Sequence, residues 1–159
     1  MSYLRKLLLT LSLLLISAGG ALADDKATVK AFYDFLSNPA SSAATMAFKS
    51  STHEDWESIG DYSGNSKNRD QFIGQVSGFF AKLIPDLKWE TQEILQDGDK
   101  VIVRSRATGT PNGPLFGVNG EGRSFDIMTI DIHTIESGKI IRSYHLEDWS
   151  GALQQLKGK

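Results

Sequence analysis

RSFDIMTIDIHTIESGKIIRSYHLEDWSGALQQL, residues 123–156, carries the strongest structural signal in the chain. Two strand-like runs, about Arg123 to Ile135 and Lys139 to Glu147, meet at Ser137-Gly138, a hairpin turn pair. The second run then delivers Asp148 into a short amphipathic tail, Trp149 to Leu156. Strand alternation groups His133 with Asp131 and Thr129, and His145 with Ser143 and Glu147. Pairing across the turn sets His133 opposite Ser143 and His145 beside Asp131.

Upstream, the sheet continues. Leu87, Trp89 and Thr91 alternate with polar residues, and Asp97-Gly98-Asp99 reads as a hairpin turn. Lys100 to Thr108 follows, with Val101, Val103 and Ala107 on one face and Arg104 and Arg106 on the other. Gly109 to Gly122 holds five glycines and two prolines, the composition of an irregular connection.

The first half reads helical. Asp24 or Asp25 can cap a helix with Val29, Phe32, Phe35 and Leu36 on one face, stopped by Asn38-Pro39. A second helix is predicted near Ser41 or Ser42, carrying Ala44, Met46, Ala47 and Phe48. Ile59 to Lys67, rich in Gly, Ser, Asp and Asn, reads as a loop. A third helix opens at Asn68, with Gln71 placed as in a capping box, and runs to Pro85. Helices first and meandering strands afterwards define an α+β fold. N-terminal helices packed across a strongly bent antiparallel sheet make a cone, and its open end is a natural small-molecule pocket.

The N-terminus reads as an export signal. Arg5 and Lys6 precede a Leu-rich run, Leu7 to Ile16, and Ala21-Leu22-Ala23 supplies a small-x-small cleavage pattern. A ten-residue run is too short to span a bilayer core of about 30 Å. Cleavage after Ala23 is expected, leaving 24–159 as one periplasmic or secreted domain with no stable membrane anchor. The chain has no cysteine, so the fold rests on its core. Its acidic balance and the absence of a basic run argue against nucleic acid as a partner.

Asp148 has two readings. With Tyr144, Leu146 and Trp149 as an apolar wall, a desolvated Asp148 is poised for proton transfer. Alternatively it is the N-cap of the final helix. His145 and His133 are candidate proton carriers beside Asp131, or sheet-surface histidines facing a partner subunit. His53 either closes over the pocket or stands in a solvated loop. A three-histidine metal site is disfavoured, because no two ligands have metal-site spacing. Arg104 is a candidate for binding a substrate carbonyl or carboxylate. Trp89 and Phe116, with Tyr62 and Met128, either line the cavity or fill core. There is no Gly-x-Ser-x-Gly elbow and no Gly-rich phosphate loop opening a helix.

Ile84-Pro85-Asp86-Leu87, Gly98-Asp99 followed by Val101-Ile102-Val103-Arg104, and Thr108-Gly109-Thr110 come in order along the chain. Phe116-Gly117, Gly122, Gly138-Lys139-Ile140, and Asp148 followed by Gln155-Leu156 continue the series. This ordered set resembles the SnoaL-like polyketide cyclases, or predicted ester cyclases, of the nuclear-transport-factor-2-like superfamily. It departs from them at Pro111, where the family often carries a histidine. The resemblance implies a cone-shaped α+β fold, often a homodimer through the sheet. It also implies metal-free and cofactor-free intramolecular aldol chemistry, with Asp148 as general acid/base. The expected function is acid/base catalysis, of the aldol-cyclisation or isomerisation type, on a small, mostly apolar carbonyl or ester compound. The alternative is a non-catalytic periplasmic module of the same fold that binds a small ligand or a partner.

Overall fold

The computed structural model describes residues 18–159, with side chains from Asp25 onward. The predicted apolar run Leu7 to Ile16 lies outside the described residues. Helix α1 (Ala18–Ser37) begins ahead of the predicted Asp24 or Asp25 cap and buries Val29, Phe32, Tyr33, Phe35 and Leu36 along one stripe. Pro39 cannot continue it, and the Asn38 amide closes the last turn on the Asp34 carbonyl at 3.0 Å. Helix α2 (Ser42–Ser51) is capped by Ser41, whose hydroxyl accepts the Ala44 N–H at 3.2 Å.

The chain then does something its local pattern does not announce. Thr52–Ile59 forms strand β1, parallel to the C-terminal strand, so the sheet is mixed and not wholly antiparallel as expected. A two-residue strand β2 (Lys67–Asn68) leads into α3 (Arg69–Ile73) through the expected capping box. There the Asn68 side chain accepts from the Gln71 N–H at 2.9 Å and the Gln71 side chain accepts from the Asn68 N–H at 3.0 Å. The rod continues as a π-helical segment (Gly74–Phe80) and α4 (Ala81–Leu83) before Pro85. Each π turn takes an extra residue, which swings the following side chains around the axis.

Strands β3 (Lys88–Asp97), β4 (Lys100–Gly109), β5 (Phe125–Glu136) and β6 (Lys139–Glu147) pair antiparallel in sequence, and α5 (Trp149–Leu156) closes the chain. The full order is β2-β1-β6-β5-β4-β3. Register shifts interrupt β1/β6, β3/β4 and β5/β6, and such bulges bend a sheet toward the elements packed on it. At the β5–β6 turn Ser137 (φ 51°) and Gly138 (φ 74°) are both left-handed, the pattern of a two-residue hairpin. Phe32, Phe35, Phe48, Trp56 and Phe72 form an aromatic cluster with ring centroids 4.8–6.4 Å apart between the helices and one half of the sheet.

Candidate active site

Beside this cluster the concave face is hollow. A cavity of about 160 Å³ opens between α1, the helical rod, the inner face of the sheet and α5. Its walls are apolar: Phe32 and Leu36 from α1, Phe72, Val76 and Phe80 from the rod, Leu87 just ahead of β3 and Trp89 within it. Trp149 stacks on Phe80 at 6.0 Å and 5°, and Phe116 meets Trp149 edge-on at 5.6 Å. Phe116 sits on the rim, exposed and in the left-handed region (φ 46°). That backbone is rare for a bulky residue and belongs to the strained positions common at binding sites.

Against these walls stand three polar groups from neighbouring strands. Along β5 the alternation is inverted from the usual pattern. Phe125, Ile127, Thr129, Asp131 and His133 face inward, while Met128, Ile130 and Ile132 face solvent. Along β6 Ser143, His145 and Glu147 face inward. The expected register holds: Asp131 pairs with His145, and His133 with Ser143. Asp131, His145 and Glu147 line the cavity, and Lys67 and Gln75 add polar groups to its wall.

Asp131 is the perturbed group. It is 3% exposed, and its Oδ2 accepts the Tyr33 hydroxyl at 2.7 Å. Burial pushes its carboxyl up to about 7; the Tyr33 bond opposes this, Glu147 adds to it and His145 subtracts. His145 is bonded at both ring nitrogens, Nδ1 to Glu147 Oε1 at 2.9 Å and Nε2 to Ser58 Oγ at 2.9 Å. Burial pulls its pKa down, but the Glu147 hydrogen bond and charge, with Asp131 behind them, raise it on balance. At neutral pH the cavity therefore holds a carboxyl able to take or give a proton beside an imidazole biased toward its cation.

The other sequence candidates fall elsewhere. Asp148 takes the second of its two readings: it is exposed and caps α5, its Oδ1 accepting the Gly151 N–H at 2.8 Å. Asp148 follows the inward Glu147, so its parity already places it outside the inward row. His133 does not line the cavity. It is fully buried behind Asp131, and burial holds its pKa down at about 3. Tyr144 and Leu146 have outward parity on β6 and are 41% and 71% exposed on the opposite face of the sheet. Arg104 is outward on β4 and pairs with Glu93 at 3.2 Å. His53 is the second residue of β1, partly exposed beside Asp55, so the three histidines are not gathered at one centre. Trp89 and Phe116 do line the cavity, and Trp89 Nε1 donates to Thr129 Oγ1 at 3.2 Å. The catalytic candidate that sequence reasoning left unselected is Asp131. Its signal was the parity it shares with Phe125 and Ile127, two residues that must face the core.

Helices over a bent six-stranded sheet, enclosing an apolar cavity with a buried carboxyl at its base, define a small-molecule-binding α+β cone. The sequence matches the family model of SnoaL-like polyketide cyclases over residues 27–156, and the chain belongs to that family. Solved structures share the fold. A candidate SnoaL-like polyketide cyclase from Jannaschia sp. CCS1 superposes with a TM-score of 0.72 at 21% identity, covering 86% of this chain and 94% of that one. IdmH, a candidate polyketide cyclase from Streptomyces antibioticus, gives 0.71 at 23% identity, with 84% and 98% covered. A protein of ketosteroid isomerase-like fold from Catenulispora acidiphila, in complex with trimethylamine, gives 0.63 at 16% identity, with 82% and 92% covered. No curated protein matches the chain.

Proposed function

We propose that the protein is an exported enzyme performing cofactor-free acid/base chemistry, of the aldol-cyclisation or isomerisation type, on a small, mostly apolar carbonyl or ester compound. The observation that carries this reading is Asp131: a buried carboxyl, its pKa raised to about 7, facing an apolar cavity. As carboxylate it accepts the proton α to a carbonyl. The enolate oxygen meets positive charge from His145 and Lys67, which line the same cavity. The new carbon nucleophile then attacks a second carbonyl, whose alkoxide takes the proton back from Asp131, or is itself reprotonated by Asp131; either route restores the carboxylate. A cavity of about 160 Å³ accommodates roughly one ring, since an apolar cavity of about 150 Å³ holds benzene.

The test is deuterium exchange at the α-carbon of single-ring 1,3-diketones in D₂O, followed by proton NMR. Wild-type protein accelerates exchange, and Asp131→Asn abolishes the acceleration while still binding the diketone. Binding without accelerated exchange by the wild type would instead make the protein a ligand carrier. Export rests on Arg5, Lys6, the run Leu7 to Ile16 and Ala21-Leu22-Ala23. Among the described residues no helix is long and apolar enough to cross a membrane. Mass spectrometry of periplasmic protein should find Asp24 as the first residue. Pairing with a second copy through the sheet is supported by the outward row Met128, Ile130, Ile132, Tyr144 and Leu146, an apolar patch unusual on a monomer. A monomer by light scattering would refute that part.

A further inference from the structure

Behind Asp131 lies a series of buried polar groups that the proposed chemistry does not use. Trp56 Nε1 donates to Ser143 Oγ at 3.0 Å, and Ser143 Oγ lies 2.8 Å from His133 Nδ1. His133 Nε2 lies 3.0 Å from the Tyr33 hydroxyl, which is 2.7 Å from Asp131 Oδ2. The series crosses four elements, β1, β6, β5 and α1, and every member is at most 3% exposed.

We propose that Trp56, Ser143, His133 and Tyr33 form a one-directional hydrogen-bond chain that positions Asp131, engaging its Oδ2 and leaving Oδ1 as the atom that exchanges protons in the cavity. The direction follows from donor counting. An indole N–H only donates, so Ser143 Oγ accepts from Trp56. The single Ser143 hydrogen then points at His133 Nδ1. A neutral imidazole that accepts at Nδ1 carries its hydrogen on Nε2, and that hydrogen goes to the Tyr33 oxygen. Tyr33 in turn gives its own hydrogen to Asp131 Oδ2. Each hydrogen has an acceptor.

The opposite direction fails at one place. With Nδ1 protonated, Ser143 would accept from both Trp56 and His133, and its own buried hydrogen would have no acceptor among the described residues. Trp56 thereby fixes the tautomer of His133 and, through it, the orientation of the Tyr33 hydroxyl. The only side-chain hydrogen bond to the Asp131 carboxyl among the described residues is at Oδ2, which leaves Oδ1 without a side-chain partner on a residue that lines the cavity. Tyr33 and His133 are positioning residues, since Asp131 stands between them and any substrate.

The charged and titratable groups around Asp131 are Tyr33 from α1, His145 and Glu147 from β6, His133 on its own strand and Lys67 at the cavity wall. Among them, only Tyr33 donates directly to the Asp131 carboxyl.

The inference rests on Asp131 as the acid/base, but its test needs no substrate. Long-range ¹⁵N–¹³C NMR of the His133 ring in the wild type reads the tautomer. The expected form is Nε2–H, and an Nδ1–H ring overturns the chain direction. Carbon-detected titration of Asp131 Cγ then compares wild type with Tyr33→Phe. Loss of the hydroxyl should raise the Asp131 midpoint by about one pH unit. An unchanged midpoint overturns the positioning role. Ser143→Ala, a smaller change at the far end, removes the one acceptor an Nδ1–H ring would have among the described side chains, so it should keep the Nε2–H ring that donates to Tyr33. If it populates Nδ1–H instead, the donor-counting argument is wrong. If Tyr33→Phe does not fold, the tautomer in wild type and in Ser143→Ala decides by itself. In the α-proton exchange assay, the Tyr33→Phe rate profile should move by the same increment as the Cγ midpoint. Wild type without exchange, but with a midpoint that responds to Tyr33→Phe, would sink the catalytic reading and leave the positioning chain standing.

Discussion

Replacing Asp131 by Asn should make the protein more stable at alkaline pH, although it removes the group on which activity is proposed to depend. The folded-state pKa of about 7 lies about three units above the ordinary 3.8. A group whose folded pKa is raised gives stability that is present below its unfolded pKa and lost as pH climbs through the folded value. At 1.36 kcal/mol per unit, ionising Asp131 inside the fold costs about 4 kcal/mol by pH 8. An Asn side chain carries no such charge, and its amide oxygen accepts the Tyr33 hydroxyl as Oδ2 does in the wild type. The attraction to His145 is already contained in that shift, and the Asn NH2 must be accommodated where a carboxyl oxygen stood, so about 2–4 kcal/mol should remain, a rise in Tm on the order of 10 °C. Urea unfolding followed by tryptophan fluorescence at pH 4 and pH 8 measures it, with Trp56 a fully buried reporter. At pH 4 the two proteins should differ little, because Asp131 is protonated in the fold and close to half protonated in the unfolded chain. Equal gains at both pH values, or none at pH 8, would mean that Asp131 is not held as a desolvated carboxyl.

Other outcomes can be checked with the same methods. In the Asp131→Asn background the opposing titration is absent, so stability should fall as pH drops from 6.5 toward 3, because burial keeps His133 neutral in the fold while the unfolded ring takes up a proton; a flat urea midpoint over that range refutes this. Asp148→Ala should lose a helix cap, about 1 kcal/mol, and keep α-proton exchange; a hundredfold loss of exchange would return Asp148 to the active site. Gly109→Ala would drive a methyl into Ile84 and to 3.2 Å from the Phe125 ring, so denaturant titration should read a loss of about 1–3 kcal/mol. Trp149→Ala removes the ring stacked on Phe80 and one cavity wall; calorimetry should find diketone affinity reduced at least tenfold, and unchanged affinity would place the ligand elsewhere.

Much of this architecture is local in origin and could be read directly. Ser137-Gly138 and Asp97-Gly98-Asp99 supply the turn conformations, Asn38-Pro39 and Pro85 stop helices, and Asn68 with Gln71 starts one. Each works through its own φ preference or a hydrogen bond a few residues long. The pairing of His145 with Asp131 was equally legible, because a tight turn sets the register of both flanking strands.

Strand β1 was not legible. Its residues Thr52–Ile59 have no clean alternation, and its partner β6 lies more than eighty residues away and runs parallel, so no turn links the two. The identity of the reactive carboxyl was hidden for a related reason. Asp131 and Asp148 both border apolar residues in sequence, yet one has a pKa near 7 and the other caps a helix in solvent. Desolvation belongs to the volume around a group, and that volume is filled by α1, the helical rod and α5 arriving from both ends of the chain. Chain-local rules therefore specified the turns, the helix ends and the hairpin register. Long-range packing alone determined which carboxyl lost its water, because burial is a sum over neighbours that the residues beside it in sequence do not supply.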